Sequence, residues 1–174
     1  MSHRCAAQRG TTLIELMLGI ALLGIIATLT LPSFTGFLDR YRLEGAIDAL
    51  HADLQWARGE AVKRNAVLRV GFTPGLPWRY TLADAGNLEL TAVQGSDFHN
   101  PTRDAPALGG GTELWFQPNR GAITNAAGLP VDSRVVFQSA LGRVACVHFN
   151  QLGRTHLCSP AGATHLTGVT ACAC

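Results

Sequence analysis

Residues 10–32 read GTTLIELMLGIALLGIIATLTLP, a long apolar stretch in which Glu15 is the only charged residue. An α-helix over residues 13–31 would span roughly 28 Å, close to the hydrocarbon thickness of a bilayer. Residues 1–10, MSHRCAAQRG, are polar and basic. Their final glycine precedes the apolar stretch, whereas an ordinary secretory signal is cleaved after its apolar region. We therefore predict that residues 1–10 are removed as a leader and that residues 11–32 remain as a membrane-crossing segment.

The charges around this segment predict its orientation. Arg4 and Arg9 precede it, and the next charges along the chain, Asp39 and Arg40, come well after its end. Basic residues near a membrane span stay on the cytoplasmic side. We expect a single pass with the amino terminus in the cytoplasm and the bulk of the protein outside it.

Glu15 is unusual in such a segment, because a carboxylate there costs about 2.5–3.5 kcal/mol on insertion scales. Gly10 and the residues after it, TTLIEL, resemble the type III leader junction of type IV pilins and pseudopilins. The resemblance implies that a prepilin peptidase cuts after Gly10 and methylates the new amino terminus, Thr11, where the family usually carries phenylalanine. It also implies that Glu15 neutralises the terminal amine of a neighbouring subunit during assembly. The alternative is a simple signal anchor whose Glu15 reaches toward the membrane interface.

Residues 33–66 continue the helix with a different pattern. Apolar residues recur mostly at steps of three and four, the period of one helical face, while charged residues occupy the other faces. The pattern predicts an amphipathic second half that ends near Asn65, and Pro32 predicts a kink because proline removes a backbone hydrogen bond. The apolar face consists of Phe34, Phe37, Tyr41, Leu43, Ile47, Leu50, Leu54, Ala57 and Ala61.

Residues 67–174 contain short β-like segments separated by Gly, Pro, Asn and Asp, which predicts an antiparallel sheet. A sheet with one apolar face needs a cover, and the amphipathic half of the helix is the candidate. Residues 95–111 are rich in turn-forming residues and predict a surface loop. The predicted strands read AVLRVGF, WRYTLA, LELTAV, TELWFQP, SRVVFQ, RVACVHF and RTHLC.

The stretch LHADLQWARGEAVKRNAVLRVGF at residues 50–72 is similar to the helix-to-strand junction of the GspH/FimT family of minor pilins and pseudopilins. WFQPNRGAI and LGRTHLC look like that family's later strand motifs. The resemblance implies an α+β, pilin-like fold, in which a long amino-terminal helix packs on an antiparallel β-sheet head.

Four cysteines follow the leader, which itself holds Cys5, and their even number suits disulfides formed outside the cytoplasm. The turn candidate NQLG would set Cys146 and His148 opposite His156 and Cys158. A zinc site with two Cys and two His is one interpretation. Strand residues two apart are separated by about 6–7 Å and zinc knuckles use tighter turns, which disfavours the zinc site. We favour a Cys146–Cys158 disulfide, as expected in an oxidising compartment.

Cys172 and Cys174 lie at the end of the sequence. They could bridge each other only with strain, or pair separately with the upstream cysteines. We favour the second arrangement, which would pin down the carboxyl-terminal tail.

Charge and motifs give a secondary hypothesis. Loss of Arg4 and Arg9 leaves equal numbers of basic and acidic residues, 12 of each, but the chain after Glu113 is mildly basic. Gly153-Arg154-Thr155-His156 resembles the Gly-Arg-x-Arg motif that some family members use in DNA uptake, with His156 in place of the last arginine. Arg143 and Arg154 could form a small basic patch toward an anionic partner, or could simply be solvated charges of the hairpin.

Together these features predict a structural subunit rather than an enzyme, since no catalytic triad, paired carboxylates or phosphate-cradling glycine motif stands out. No cofactor and no metal site is predicted. The expected role is a minor pilin or pseudopilin near the tip of a type IV pilus or type II secretion pseudopilus. The expected partners are other subunits, the prepilin peptidase and the bacterial inner membrane, with the head in the periplasm. The alternative is a minor pilin that binds double-stranded DNA during natural transformation.

Overall fold

The computed structural model describes the backbone of residues 12–73, 77–98, 102–103, 111–162, 165–166 and 168–172, without the side chains of residues 29–33 and 102–103. The predicted leader, Thr11, Cys174 and most of the predicted loop 95–111 lie outside the described residues. The predicted leader boundary therefore stays a prediction. The kink at Pro32, whose side chain is not described, also stays a prediction.

A single helix, α1, runs from Leu13 to Arg64 over 52 residues. It ends in a Schellman motif: Asn65 adopts a left-handed conformation with φ of 50°, and Ala66 N donates to Ala61 O at 3.1 Å. The end predicted near Asn65 is confirmed. Among the described residues, none of the helices combines the length and the hydropathy that a bilayer crossing needs.

The chain divides into two compact units, residues 1–37 and residues 38–174. In the first unit, the described helix carries large apolar side chains that are between 53% and 77% exposed. They are Leu13, Ile14, Leu16, Met17, Leu18, Ile20, Leu22, Leu23, Ile25 and Ile26.

The second unit contains two five-stranded sheets, ordered β3-β2-β1-β5-β6 and β10-β9-β8-β7-β4. Neighbouring strands are antiparallel, except that β10 runs parallel to β9. All seven predicted strands are confirmed, whereas the three additional strands are two residues long, too short to give a sequence pattern. The strands are β1 Leu68–Thr73, β2 Arg79–Asp84, β3 Glu89–Gln94, β4 Thr102–Arg103, β5 Glu113–Phe116, β6 Ile123–Thr124, β7 Ser133–Gln138, β8 Val144–Phe149, β9 Thr155–Ser159 and β10 Thr170–Ala171.

The helix covers both sheets in one hydrophobic core, as the amphipathic pattern predicts from Leu43 onward. Leu43, Leu50 and Leu54 are fully buried, and they share a single cluster with residues of both sheets. Trp78 joins the layers, since its ring meets the edge of Phe137 at a centroid distance of 5.3 Å.

The residues at the start of this half are exposed. Phe34, Phe37 and Tyr41 are 59%, 62% and 67% exposed, although they fit the same helical period as the buried leucines. A periodic pattern defines a face of a helix, but it does not determine whether other residues pack on that face.

One polar contact locates the helix on the first sheet. The Tyr80 hydroxyl donates to Asp53 Oδ2 at 2.7 Å. Burial, together with the hydrogen bond to Asp53 and its negative charge, raises the pKa of Tyr80 far above its ordinary value. The phenol therefore stays protonated and continues to donate to the carboxylate.

Candidate functional site

The amino-terminal assembly residues are partly described. Gly10 and Thr11 lie outside the described residues, and Glu15 lies in the first turn of α1. Its backbone N–H donates to Thr12 Oγ1 at 3.4 Å, and its position three residues after Thr12 is the spacing of a capping box. A carboxylate there also complements the positive end of the helix dipole. Sequence reasoning missed this local role, although Thr-x-x-Glu is its signal.

The carboxyl-terminal cysteines pair differently from the favoured prediction. The hairpin is confirmed, because Cys146 lies directly opposite Cys158 on β8 and β9. The disulfide nevertheless joins Cys158 to Cys172, with a Cα–Cα distance of 5.6 Å. The predicted Cys146–Cys158 bond is therefore wrong, and Cys146 is itself disulfide-bonded. With these sulfurs in disulfides, the alternative zinc site with two Cys and two His is wrong as well.

The tail explains the pairing. It runs beside β9, where Thr170 aligns with Cys158, and Cys172 N donates to Ser159 O at 3.0 Å. This brings the Cys172 sulfur alongside the hairpin, 3.9 Å from Cys146 Sγ. The tail is thus pinned to the sheet through Cys172, as favoured from the sequence.

The two arginines proposed for a basic patch lie at opposite ends of the β8–β9 hairpin, as expected. Arg143 precedes β8 and places Nε 4.0 Å from Asp39 Oδ2, whereas Arg154 pairs with Asn150 beyond the other end of β8. A strand of this length separates them by roughly 20 Å. They do not form one patch, and an acidic partner offsets the charge of Arg143.

Asp39 connects the helix to the β7–β8 turn. Asp39 is only 8% exposed. Its carboxylate accepts a hydrogen bond from Ser139 Oγ at 2.7 Å. It also accepts from Leu141 N at 3.2 Å. The role of Arg143 at this end is therefore to complete a structural contact.

A different set of basic side chains shares the outer face of the second sheet. Arg134, His148 and His156 are successive cross-strand neighbours on β7, β8 and β9. Arg154 directly precedes β9, two positions before His156, and is exposed; continued alternation of side chains brings it to the same side. We call these four residues the Arg–His row. Arg134 and His148 were not predicted, and only the strand register places them beside His156.

The two histidines of the row are close together. Their rings stack at a centroid distance of 5.0 Å and an interplanar angle of 21°. Partial burial lowers the pKa of His148, and the positive charges of His156 and Arg134 lower it further, while Asp132 acts in the opposite direction. His148 is therefore mainly neutral near pH 7.

Gly153, the first residue of the predicted DNA motif, occupies a position where the backbone requires glycine. Its φ is +74°, and a Cβ there would collide with the carbonyl oxygen of Gly121 and lie 2.9 Å from Arg58 Nε. Ile123 N donates to Gln151 O at 2.9 Å, which holds the same turn against the neighbouring loop. The glycine allows the turn that carries Arg154 to approach the helix and loop closely.

A long amino-terminal helix set against antiparallel sheets is a pilin-like α+β arrangement, the class to which these features assign the protein. The model of the family described as type II transport protein GspH matches residues 46–162, and the chain belongs to this family. The model of the prokaryotic N-terminal methylation motif matches residues 5–31. Pilins and pseudopilins are structural proteins rather than enzymes.

Two curated proteins named fimbrial protein, both from Pseudomonas aeruginosa, are each 32% identical to the chain over 90 residues. The aligned region covers 52% of this chain and 55% of each relative. The chain thus spans about half the length of the curated relatives that it matches. No solved structure matches it significantly.

Replacing Gly153 by alanine should destabilise the head more than the same change at Gly142. The φ angles are alike, +74° at Gly153 and +79° at Gly142, but a Cβ at Gly142 meets nothing within 4 Å. Both variants carry the cost of a left-handed alanine, about 1–2 kcal/mol, and Gly153→Ala adds overpacking of about 1–3 kcal/mol. Urea unfolding of the detergent-solubilised chain, with disulfides intact, measures the difference. Equal losses in the two variants would contradict the close packing at Gly153.

Replacing Asp39 by alanine should lower the free energy of unfolding by about 1–3 kcal/mol, because the Ser139 hydroxyl and the Leu141 N–H lose a buried acceptor. Asp48→Ala is the matched control, since Asp48 is exposed on the same helix and surface changes usually stay within about 0.5 kcal/mol. The same unfolding assay reports both. Similar values for the two variants would show that Asp39 does not hold the turn.

Proposed function

We propose that this chain is a minor pilin or pseudopilin that enters an envelope filament through residues 11–32. The observation that carries the proposal is the coincidence of the matched methylation motif with a row of large apolar side chains exposed by more than half. Burying each such side chain is worth about 1.5–3 kcal/mol. The bilayer would cover this surface before assembly, and the helices of neighbouring subunits would cover it afterwards.

The proposed maturation follows from the residues at the leader junction. A prepilin peptidase cuts after Gly10 and methylates Thr11, so that residues 1–10 are lost and Glu15 becomes the fifth residue of the mature chain. The mature protein crosses the inner membrane once, with its amino terminus in the cytoplasm and its head in the periplasm. The positions of Arg4 and Arg9 before the apolar stretch support this orientation.

The filament is a type IV pilus or a type II secretion pseudopilus. The family description refers to type II transport, while the two curated relatives are named fimbrial proteins. We place the subunit near the tip, where a minor subunit starts or caps assembly.

Glu15 should be required for assembly through its charge. In low dielectric, its carboxylate and the terminal amine of a neighbour offset each other's desolvation only when they are closely paired. Glu15→Ala should therefore remove the protein from sheared filaments and leave its amount in the membrane fraction unchanged. Immunoblots of the two fractions measure both quantities.

The capping-box spacing requires a second variant, because Glu15→Ala also removes a helix-start residue. Glu15→Gln keeps a side chain that serves in a capping box but removes the charge. Failure of both variants to enter filaments supports charge pairing. Normal entry of Glu15→Gln would show that Glu15 acts only at the helix start, and the proposed pairing would then be wrong.

DNA capture is the second candidate function, and the Arg–His row is the observation that favours it. Arg134, His156 and Arg154 are exposed on one face of the second sheet, and Asp132 is the only acidic residue after Glu113. Cationic side chains arranged along a sheet can follow the phosphates of a nucleic-acid backbone. The row replaces the Arg143 and Arg154 patch as the candidate surface.

Neutralising Arg134 and Arg154 together should weaken binding of double-stranded DNA by the full chain in detergent. The salt dependence should also flatten, by about 0.9 in log–log slope for each phosphate that the variant no longer neutralises. Arg143→Gln is the matched control, because Asp39 already offsets that charge, and it should bind as the unmodified protein does. Electrophoretic mobility shifts at two salt concentrations measure the effect. Equal binding by all variants, or absence of binding at low salt, would contradict DNA capture by the Arg–His row. The filament role would then be the one proposed function that remains.

A further inference from the structure

His148 and His156 form a pair that the filament role does not explain. They lie directly opposite each other on β8 and β9, with ring centroids 5.0 Å apart. His156 is exposed and His148 is partly exposed. Among the residues that the structure describes, no hydrogen bond occupies a nitrogen of either ring. Two imidazoles are thus held side by side at the surface with their nitrogens available.

Imidazole nitrogen is a preferred ligand of Zn²⁺, Cu²⁺ and Ni²⁺. The backbones of two adjacent hydrogen-bonded strands hold these ligands close together. Because the nitrogen lone pairs lie in the planes of the stacked rings, the rings must turn about their side-chain torsions before one ion can contact both. We propose that His148 and His156 form a surface site for a divalent transition-metal ion, with Zn²⁺ as the reference ion and water in the remaining coordination positions. The ion would tie β8 to β9 and so stabilise the hairpin.

The charged residues near the histidine pair predict how the affinity of the site for a cation changes when they are replaced. Asp132, Ser133, Arg134 and His148 line a surface cavity of about 310 Å³. The ion would lie at the His148 edge of this cavity, which His156 does not line. There the Asp132 carboxylate attracts a cation, and the Arg134 guanidinium, next to His148 across the β7–β8 ladder, repels it. The charge of Arg134 therefore disfavours binding of a metal ion and favours binding of a nucleic acid.

The disulfides separate this site from the zinc site considered from the sequence. Cys158 is bonded to Cys172, and Cys146 is also disulfide-bonded, so their sulfurs are not available as thiolates. The proposed ligands are the two histidines without the cysteines. Oxidised protein should accordingly bind the ion.

Calorimetric titration with Zn²⁺ tests the site on the full detergent-solubilised chain with its disulfides intact. His3→Ala and Cys5→Ser are present in every sample, because the leader offers these two competing ligands. We expect saturable binding of one ion per chain and a rise in unfolding temperature with added Zn²⁺. His148→Ala and His156→Ala should each lower the affinity at least about tenfold and abolish the thermal shift. His165→Ala is the control, since that ring contacts Pro160 O at 3.2 Å, and its affinity should be unchanged.

Two charge variants distinguish a cation site from an anion site. Arg134→Gln should raise the Zn²⁺ affinity, whereas Asp132→Asn should lower it. The proposal is overturned if no saturable binding is observed, if the double variant His148→Ala/His156→Ala binds as tightly as the parent, or if Arg134→Gln weakens Zn²⁺ binding. Circular dichroism of each variant confirms that the head remains folded.

Discussion

The contact between the second half of the helix and the two sheets is the interaction on which the head depends. Leu43, Leu50 and Leu54 are fully buried against strands of both sheets. Each buried leucine contributes about 1.5–3 kcal/mol, and the described chain has no other α-helix to cover the apolar face of either sheet. The hydrogen bonds from Tyr80 to Asp53 and from Ser139 to Asp39 connect the same helix to the two sheets. They locate the sheets on the helix, while the apolar contact supplies most of the stabilisation.

The same packing explains why basic side chains and cysteines lie on the outer face of the second sheet. Its inner face is filled by apolar residues such as Val135, Val147 and Phe149, so the alternating residues of the same strands must face outward. The outward positions hold the Arg–His row, and the cysteines that fasten the tail follow along the same face. The basic side chains of the row and the bond that fixes the tail thus both follow from the alternation of side chains along these strands.

Prediction from the sequence succeeded where the signal was local and repeated. The seven longer strands, the helix end near Asn65 and the β8–β9 hairpin all follow from periodicity and turn residues within a few positions. It failed where the outcome depended on distant segments. Cys158 bonds to Cys172 because β10 returns beside β9, and a two-residue strand leaves no pattern. Arg143 joins Asp39 across a long sequence separation, which no motif near Arg143 signals.

The sequence by itself therefore determined the class of protein: a methylation motif, an apolar segment with one carboxylate, and an amphipathic helix followed by alternating strands are all properties of consecutive residues. Only the tertiary structure decided which side chains lie together. Arg134, His148, His156 and Arg154 become one surface, and Cys172 rather than Cys146 reaches Cys158, because strand register and the path of the tail set distances between residues far apart in the chain. Those distances result from packing of the whole head, and no local pattern encodes them.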